Sequence, residues 1–233
     1  MKPLENAHGR LWMNLLSADD VMDITIHSYR GGSGFDSADF NINGVLPVEA
    51  ERFSSQFRQP AKILVAAAGG GREMIFLARA GHQVTGFDPA PDLLEACRRN
   101  LAQSGVSGRV ELSERNGVPG DLGEFDGLVI GRGAYHHIPL TAQRILFLRA
   151  CREHLRSGAG IVLGEVMFAG GDRPPAADRA QSLPQAGDTL RECFGHCFTA
   201  AELIDEFTNA GFTDVLCHKT PDQALATVTA RAG

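Results

Sequence analysis

The sequence predicts an α/β fold built on a doubly wound, mainly parallel sheet. Two observations point there. Residues 63–88, ILVAAAGGGREMIFLARAGHQVTGFD, read as strand, glycine turn, helix, strand and terminal acid. Downstream, short aliphatic runs keep alternating with helical patterns, as repeated strand–helix units do.

Taken in order, residues 4–29 read as mostly helical, with Leu4, Leu11, Trp12, Leu15, Leu16, Val21, Ile24 and Ile26 as apolar positions. Residues 28–47 are rich in Gly, Ser, Asp and Asn. They read either as a solvated connection or as a lid, with Gly31, Gly32 and Gly34 as hinges and Tyr29, Arg30 and Asp36 as contacts. Glu49–Phe57 reads as a short helix leading into the first strand.

Ile63–Ala66 is short and aliphatic and stops at glycines. Gly69-Gly70-Gly71 form a turn in which backbone can approach a ligand with no side chain in the way. Met74, Leu77 and Ala78 have helical spacing, and Gly81 suits a helix C-terminus. Gln83–Phe87 is the second strand, and Asp88 stands at its end. That acid lies 19 positions after Gly69, near the roughly 20 expected of a carboxylate that holds ribose hydroxyls. A dinucleotide fingerprint fails at Met74, where Gly or Ala is required, and no phosphate-binding GxxxxGK[ST] is present.

Pro89 and Pro91 suit a helix start, and Asp92–Gln103 reads as that helix, with Leu93, Leu94, Cys97 and Leu101 as its stripe. Arg109–Ser113 is the third strand and runs into Asn116-Gly117, which by itself reads as an Asn-Gly turn. Glu124–Gly131 is the fourth, followed by the polar set Arg132, Tyr135, His136 and His137. Gln143–Leu155 reads as an amphipathic helix with Ile145, Leu146, Leu148 and Leu155 inward, and Gly160–Phe168 as the fifth strand. Glu165 inside that strand is either structural or pocket-facing. Residues 169–192 read as a long irregular insertion. Thr199 and Glu202 form a capping box for a helix through Asn209, and two further strands follow at Asp214–His218 and Ala224–Ala230.

Composition sets bounds. The 233 residues suffice for one domain with an added segment, and 43% are hydrophobic, ordinary for a soluble globule. No apolar run approaches the ~20 residues that span a bilayer, and MKPLENAHGR has no signal-peptide core. Five scattered cysteines suit a reducing compartment, so a cytoplasmic location is expected. Cys193, His196 and Cys197 supply too few ligands for a closed zinc site, so no metal is expected. With 22 basic and 28 acidic residues, a net charge of −6, nucleic acid is a poor default partner.

The glycine turn with Asp88, the FDGLVI block, LRSGAGIVLGE and FTxxEL…AGF follow one another as in class I S-adenosylmethionine (SAM) dependent methyltransferases of the small-molecule type, which the chain resembles over about residues 60–230. Two positions depart from that family: Val65 stands where an acid is usual, and Ala67 where the first glycine is usual. The resemblance implies a Rossmann-like, seven-stranded sheet whose last strand is antiparallel. It implies a helical cap and lid over residues 1–58, a SAM-binding domain over 59–233, and an insertion at 169–192 that covers the acceptor. SAM would be held by Ala67, Gly69, Gly71, Asp88, Pro89, Asn116, Gly117 and Gly131. Tyr29, Arg30 and Arg132 would contact the acceptor, and Tyr135, His136 and His137 would serve catalysis, the histidines as bases. The expected reaction is methyl transfer to an oxygen or nitrogen of a small metabolite, without a nucleic-acid or membrane partner and with a homodimer as the assembly allowed. A non-catalytic or regulatory protein of the same fold, a methyltransferase acting on a macromolecule, and altered chemistry on this fold stay open as alternatives.

Overall fold

The structure, a computed structural model, describes residues 9, 11–29, 34–169, 183–220 and 224–233. The helices α1 (Ala18–Ser28), α2 (Ala38–Asn43) and α3 (Pro47–Gln56) lie ahead of β1 (Lys62–Ala66). Then come α4 (Arg72–Arg79), β2 (Gln83–Asp88), α5 (Pro91–Gln103), β3 (Arg109–Leu112) and β4 (Phe125–Ile130). A 3-10 turn at Tyr135–His137 leads into α6 (Thr141–Arg152) and β5 (Leu155–Met167). A short hairpin, β6 (Asp188–Leu190) and β7 (Phe194–His196), precedes α7 (Ala200–Asn209), β8 (Phe212–Lys219) and β9 (Leu225–Ala232).

The main sheet has seven strands in the order β3-β2-β1-β4-β5-β9-β8. β9 runs antiparallel to both neighbours, and the other pairings are parallel. Alternate residues of each central strand feed opposite cores. Ile63, Val65, Val129 and Val162 pack with Phe53, Met74, Leu77 and Leu101 on one face. Leu64, Ala66, Leu128, Ile130, Ile161 and Leu163 pack with Leu148, Leu203 and Phe207 on the other. The strand order reverses between β1 and β4. A crevice therefore opens beyond their carboxyl ends, where open α/β sheets bind ligands.

Long-range pairing redraws several elements. α2 forms inside the stretch read as a loop, capped by the Ser37 side chain. The β6–β7 hairpin forms inside and beyond the segment read as irregular. Leu155 is not on α6: it pairs with Phe125 and opens β5, because β4 offers a ladder that the last helical turn cannot. Leu146 is 60% exposed, while Arg144 is buried on the core face of α6. The capping box at Thr199 and Glu202 opens α7. Ser17 caps α1 with Asp20 in the same way.

Ala67 sits in the left-handed region at φ 54°, where a Cβ costs about 1–2 kcal/mol. Its carbonyl oxygen lies where a Cβ at Gly131 would meet it at 2.3 Å, so Gly131 permits the close approach of β1 and β4. Ala67→Gly is expected to raise stability by about 1 kcal/mol, once the strain is relieved and the chain-entropy cost of glycine is subtracted. A shift of the urea midpoint at constant slope checks this.

Candidate active site

A cavity of about 530 Å³ lies at the crevice, within the range of small-ligand sites. Its floor is the glycine turn. Asp88 Oδ2 accepts the Gly69 N–H at 2.9 Å and Oδ1 accepts that of Ala90 at 2.9 Å. Each oxygen keeps a second acceptor position. Burial pushes the Asp88 carboxyl up to about 6, against the pull of the two backbone donors. Asn100 on α5 donates to Gly70 O at 2.9 Å and braces the same turn.

α2 closes the turn from above. A Cβ at Gly70 would meet Asn41 Nδ2 at 2.4 Å and Phe35 O at 2.6 Å. Asn41 Nδ2 in turn donates to Phe35 O and Ser37 O at 2.8 and 2.7 Å. Arg115, beyond β3, reaches Asp23 at 2.8 Å and Asp19 at 3.4 Å on α1. That cluster is solvent-exposed, and such pairs contribute little stability.

Across the cavity, Tyr29 at the end of α1 meets His137 of the 3-10 turn, with its hydroxyl 2.7 Å from His137 Nε2. His137 Nδ1 faces the Phe194 carbonyl. A carbonyl only accepts, so Nδ1 carries the proton and Nε2 accepts from the Tyr29 hydroxyl. Phe194 N donates to Thr25 Oγ1 at 3.1 Å, on the same face of α1 one turn before Tyr29. Hairpin, 3-10 turn and α1 are thereby tied together. Burial raises the Tyr29 phenol well above its usual range and lowers the His137 imidazole. His136 is pushed down to about 3 by burial and by His137 and His196. Its Nδ1 accepts a 3.4 Å contact from Met167 N, so its proton resides on Nε2.

Of the residues singled out in the sequence, Tyr29, Ala67, Gly69, Asp88, Pro89, Asn116, Arg132, Tyr135, His136 and His137 line this cavity. Three predicted cofactor contacts lie outside the lining. Gly71, at φ 99°, heads α4, Gly117 closes a tight turn onto Glu114 O, and Gly131 serves the β1–β4 approach. The Tyr135 hydroxyl is committed elsewhere: it donates to Glu206 Oε2 at 2.6 Å inside a fully buried network with Arg144. That position suits an anchor of the turn and not an acceptor-orienting group. The Arg132 guanidinium pairs with Glu165 at 2.8 Å, which resolves Glu165 as a cavity residue. Arg30, Gly31 and Gly32 lie outside the described residues, as does 170–182 of the predicted insertion. His196 Nδ1 is taken by Asp188 at 2.7 Å.

Several site residues carried no signal in the chain. Asn41, Phe35 and Phe40 belong to the unforeseen α2 region, Ser113 Oγ is buried without a partner among the described residues, and Glu49, Arg72 and Glu73 form a buried charge network.

An acid-terminated β2 beside a glycine turn, at the switch point of a seven-stranded sheet with β9 antiparallel, defines the class I methyltransferase architecture. Residues 63–158 match the family described as Methyltransferase domain. The chain has the fold of class I SAM-dependent methyltransferases, and the family match covers less than half of its length. It is 30% identical over 133 residues to a ubiquinone biosynthesis O-methyltransferase of Methylocella silvestris, covering 57% of this chain and 47% of that protein. A relative of the same name from Xanthomonas axonopodis pv. citri is 28% identical over 138 residues, covering 58% and 54%. The matched segment thus spans about half the length of these curated relatives. Among solved structures, the Burkholderia thailandensis 1,6-didemethyltoxoflavin-N1-methyltransferase, with S-adenosylhomocysteine bound, aligns at TM-score 0.62 and 21% identity, covering 89% of this chain and 84% of that one. A SAM-bound amino pentose methyltransferase from Micromonospora echinaspora aligns at TM-score 0.62 and 17% identity, covering 89% and 94%. No helix among the described residues is long and apolar enough to cross a membrane.

Proposed function

We propose that this chain transfers a methyl group from SAM to a hydroxyl oxygen of a small molecule. The observation that carries the reading is the hydrogen-bonded line from Tyr29 through His137 to the Phe194 carbonyl, which opens on the same cavity as Asp88.

The cavity fits the cofactor. The free acceptor positions of Asp88 suit a ribose diol. The unpartnered Ser113 Oγ and the nearby Asn116 suit the adenine edge. A Cβ at Gly69 would meet nothing within 4 Å, so the turn borders open space. When bound, SAM supplies a methyl already activated on sulfonium.

The protein's remaining tasks are alignment and proton removal. The Tyr29 oxygen has a lone pair for the acceptor's proton while its own proton is directed at His137 Nε2. The imidazolium so formed has both N–H groups matched, one to Phe194 O and one to Tyr29. His137 is the base in this scheme and Tyr29 its contact with the acceptor. His136 stays neutral and acts as a donor. Ubiquinone biosynthesis O-methyltransferase, the name of the curated relatives, supports oxygen over nitrogen as the acceptor atom.

Two steps test this. Calorimetric titration should show micromolar binding of SAM and S-adenosylhomocysteine. A folded protein that binds neither would support the non-catalytic alternative. Turnover should then be followed as S-adenosylhomocysteine release with a panel of phenolic acceptors. Tyr29→Phe is expected to lower kcat by about 10²- to 10⁴-fold, the usual worth of acid–base assistance, with S-adenosylhomocysteine affinity changed less than about threefold. Wild-type turnover in Tyr29→Phe would rule out the relay.

A further inference from the structure

The strand acid usual in the resembling family is replaced by Val65, which is fully buried among apolar side chains. The charge it would bring is supplied from another place. Glu73 stands in the first turn of α4, two residues after Gly71, and lines the cavity. Its Oε1 accepts from Arg72 Nη2 at 2.6 Å and from the Arg132 N–H at 3.0 Å. Its Oε2 has no hydrogen-bond partner among the described residues.

The charge count leaves a surplus. Arg72 is gripped by both oxygens of Glu49, at 2.7 and 2.8 Å, so its charge is already matched before Glu73 is added. Glu49, Arg72 and Glu73 are all buried and together carry one net negative charge. Arg132, which also acts on Glu49, brings Glu165 with it at 2.8 Å, so the enlarged group of five still carries one net negative charge. An uncompensated buried charge is costly, and a ligand cation removes that cost.

Building on the SAM-binding reading, we infer that Glu73 replaces the missing strand acid and receives the α-ammonium of the cofactor's amino-acid part. Asp88 and Glu73 then grip the two ends of one ligand from either side of the glycine turn. Val65 is thereby a relocation of charge and not a sign of lost binding.

Glu73→Gln tests this, since glutamine keeps an acceptor for Arg72 and Arg132 and removes only the charge. The probes are SAM, S-adenosylhomocysteine and 5′-methylthioadenosine, which has the nucleoside but no amino-acid part. In Glu73→Gln, SAM and S-adenosylhomocysteine are each expected to bind about 10-fold or more weaker. Methylthioadenosine affinity should stay within about twofold, and Glu73→Asp should recover part of the loss. Equal weakening of all three would show a structural role and overturn the assignment, as would no weakening at all. Loss for SAM alone would place Glu73 at the sulfonium and also overturn it. If wild type binds none of the three, the SAM-binding reading itself fails and Glu73 with it. Wild-type binding with an unchanged variant overturns the Glu73 role alone.

Discussion

Asp88→Ala is expected to weaken SAM and S-adenosylhomocysteine binding by at least about 100-fold in calorimetric titration. Two hydroxyl–carboxylate bonds are lost, each worth about 1.5–3 kcal/mol. The substitution also frees the Gly69 and Ala90 N–H groups that Asp88 now holds, loosening the turn under the ligand. Asp88→Asn keeps the side chain's size and one acceptor, and should fall between wild type and alanine. Unchanged affinity in Asp88→Ala would remove the ribose assignment.

The same carboxyl predicts a pH dependence. Its value is raised to about 6 by burial, against about 3.9 in an unfolded chain. A raised value means the ligand-free fold favours the protonated form. That contribution to stability is complete below about pH 4 and is lost as pH rises through about 6. Cofactor binding has the opposite sign, because a ribose diol donates to the ionised form. Affinity should therefore climb from pH 5 to 7 and level off, with Asp88→Asn flat across that range. Titrations in matched-ionisation buffers read both curves.

The second large effect is on stability. Glu206→Ala is expected to cost about 3–5 kcal/mol, the range for breaking one side of a buried ion pair. Arg144, 1% exposed, donates to Glu206 through Nε at 2.9 Å and Nη2 at 2.7 Å. The Tyr135 hydroxyl depends on the same carboxylate. Alanine leaves the Arg144 charge without a counter-charge, held only by Ile138 O and Thr141 Oγ1, and the Tyr135 hydroxyl without its acceptor. The paired change Arg144→Met with Glu206→Leu should recover most of the loss, since replacing both charges removes the orphan. Tyr135→Phe should cost only about 1 kcal/mol and leave cofactor affinity intact. Urea unfolding gives the energies. Near-equal stability of Glu206→Ala and wild type would mean that the network contributes nothing to the fold.

By itself the sequence determined the frame. Strand and helix periods, the glycine turn, Asp88 and the capping box at Thr199 and Glu202 are local patterns. Each is set by backbone conformation, side-chain alternation or a bond spanning three residues, and the glycine turn, Asp88 and the capping box lie where they were read. The polar cluster at Tyr135–His137 was also legible, but its division of labour was not. Which tyrosine meets which partner depends on side chains over 100 positions apart in one case and about 70 in the other, Tyr29 with His137 and Tyr135 with Glu206. Only the tertiary structure could decide that one phenol hydroxyl meets His137 and the other is held by Glu206. The same holds for Leu155, drawn from helix to strand by Phe125, and for α2, whose seat on Gly70 exists only once the turn has formed. The buried charges of Glu49, Arg72 and Glu73 are the sharpest case. Nothing local in the chain marks them as partners, and packing alone brings them together at the edge of the site.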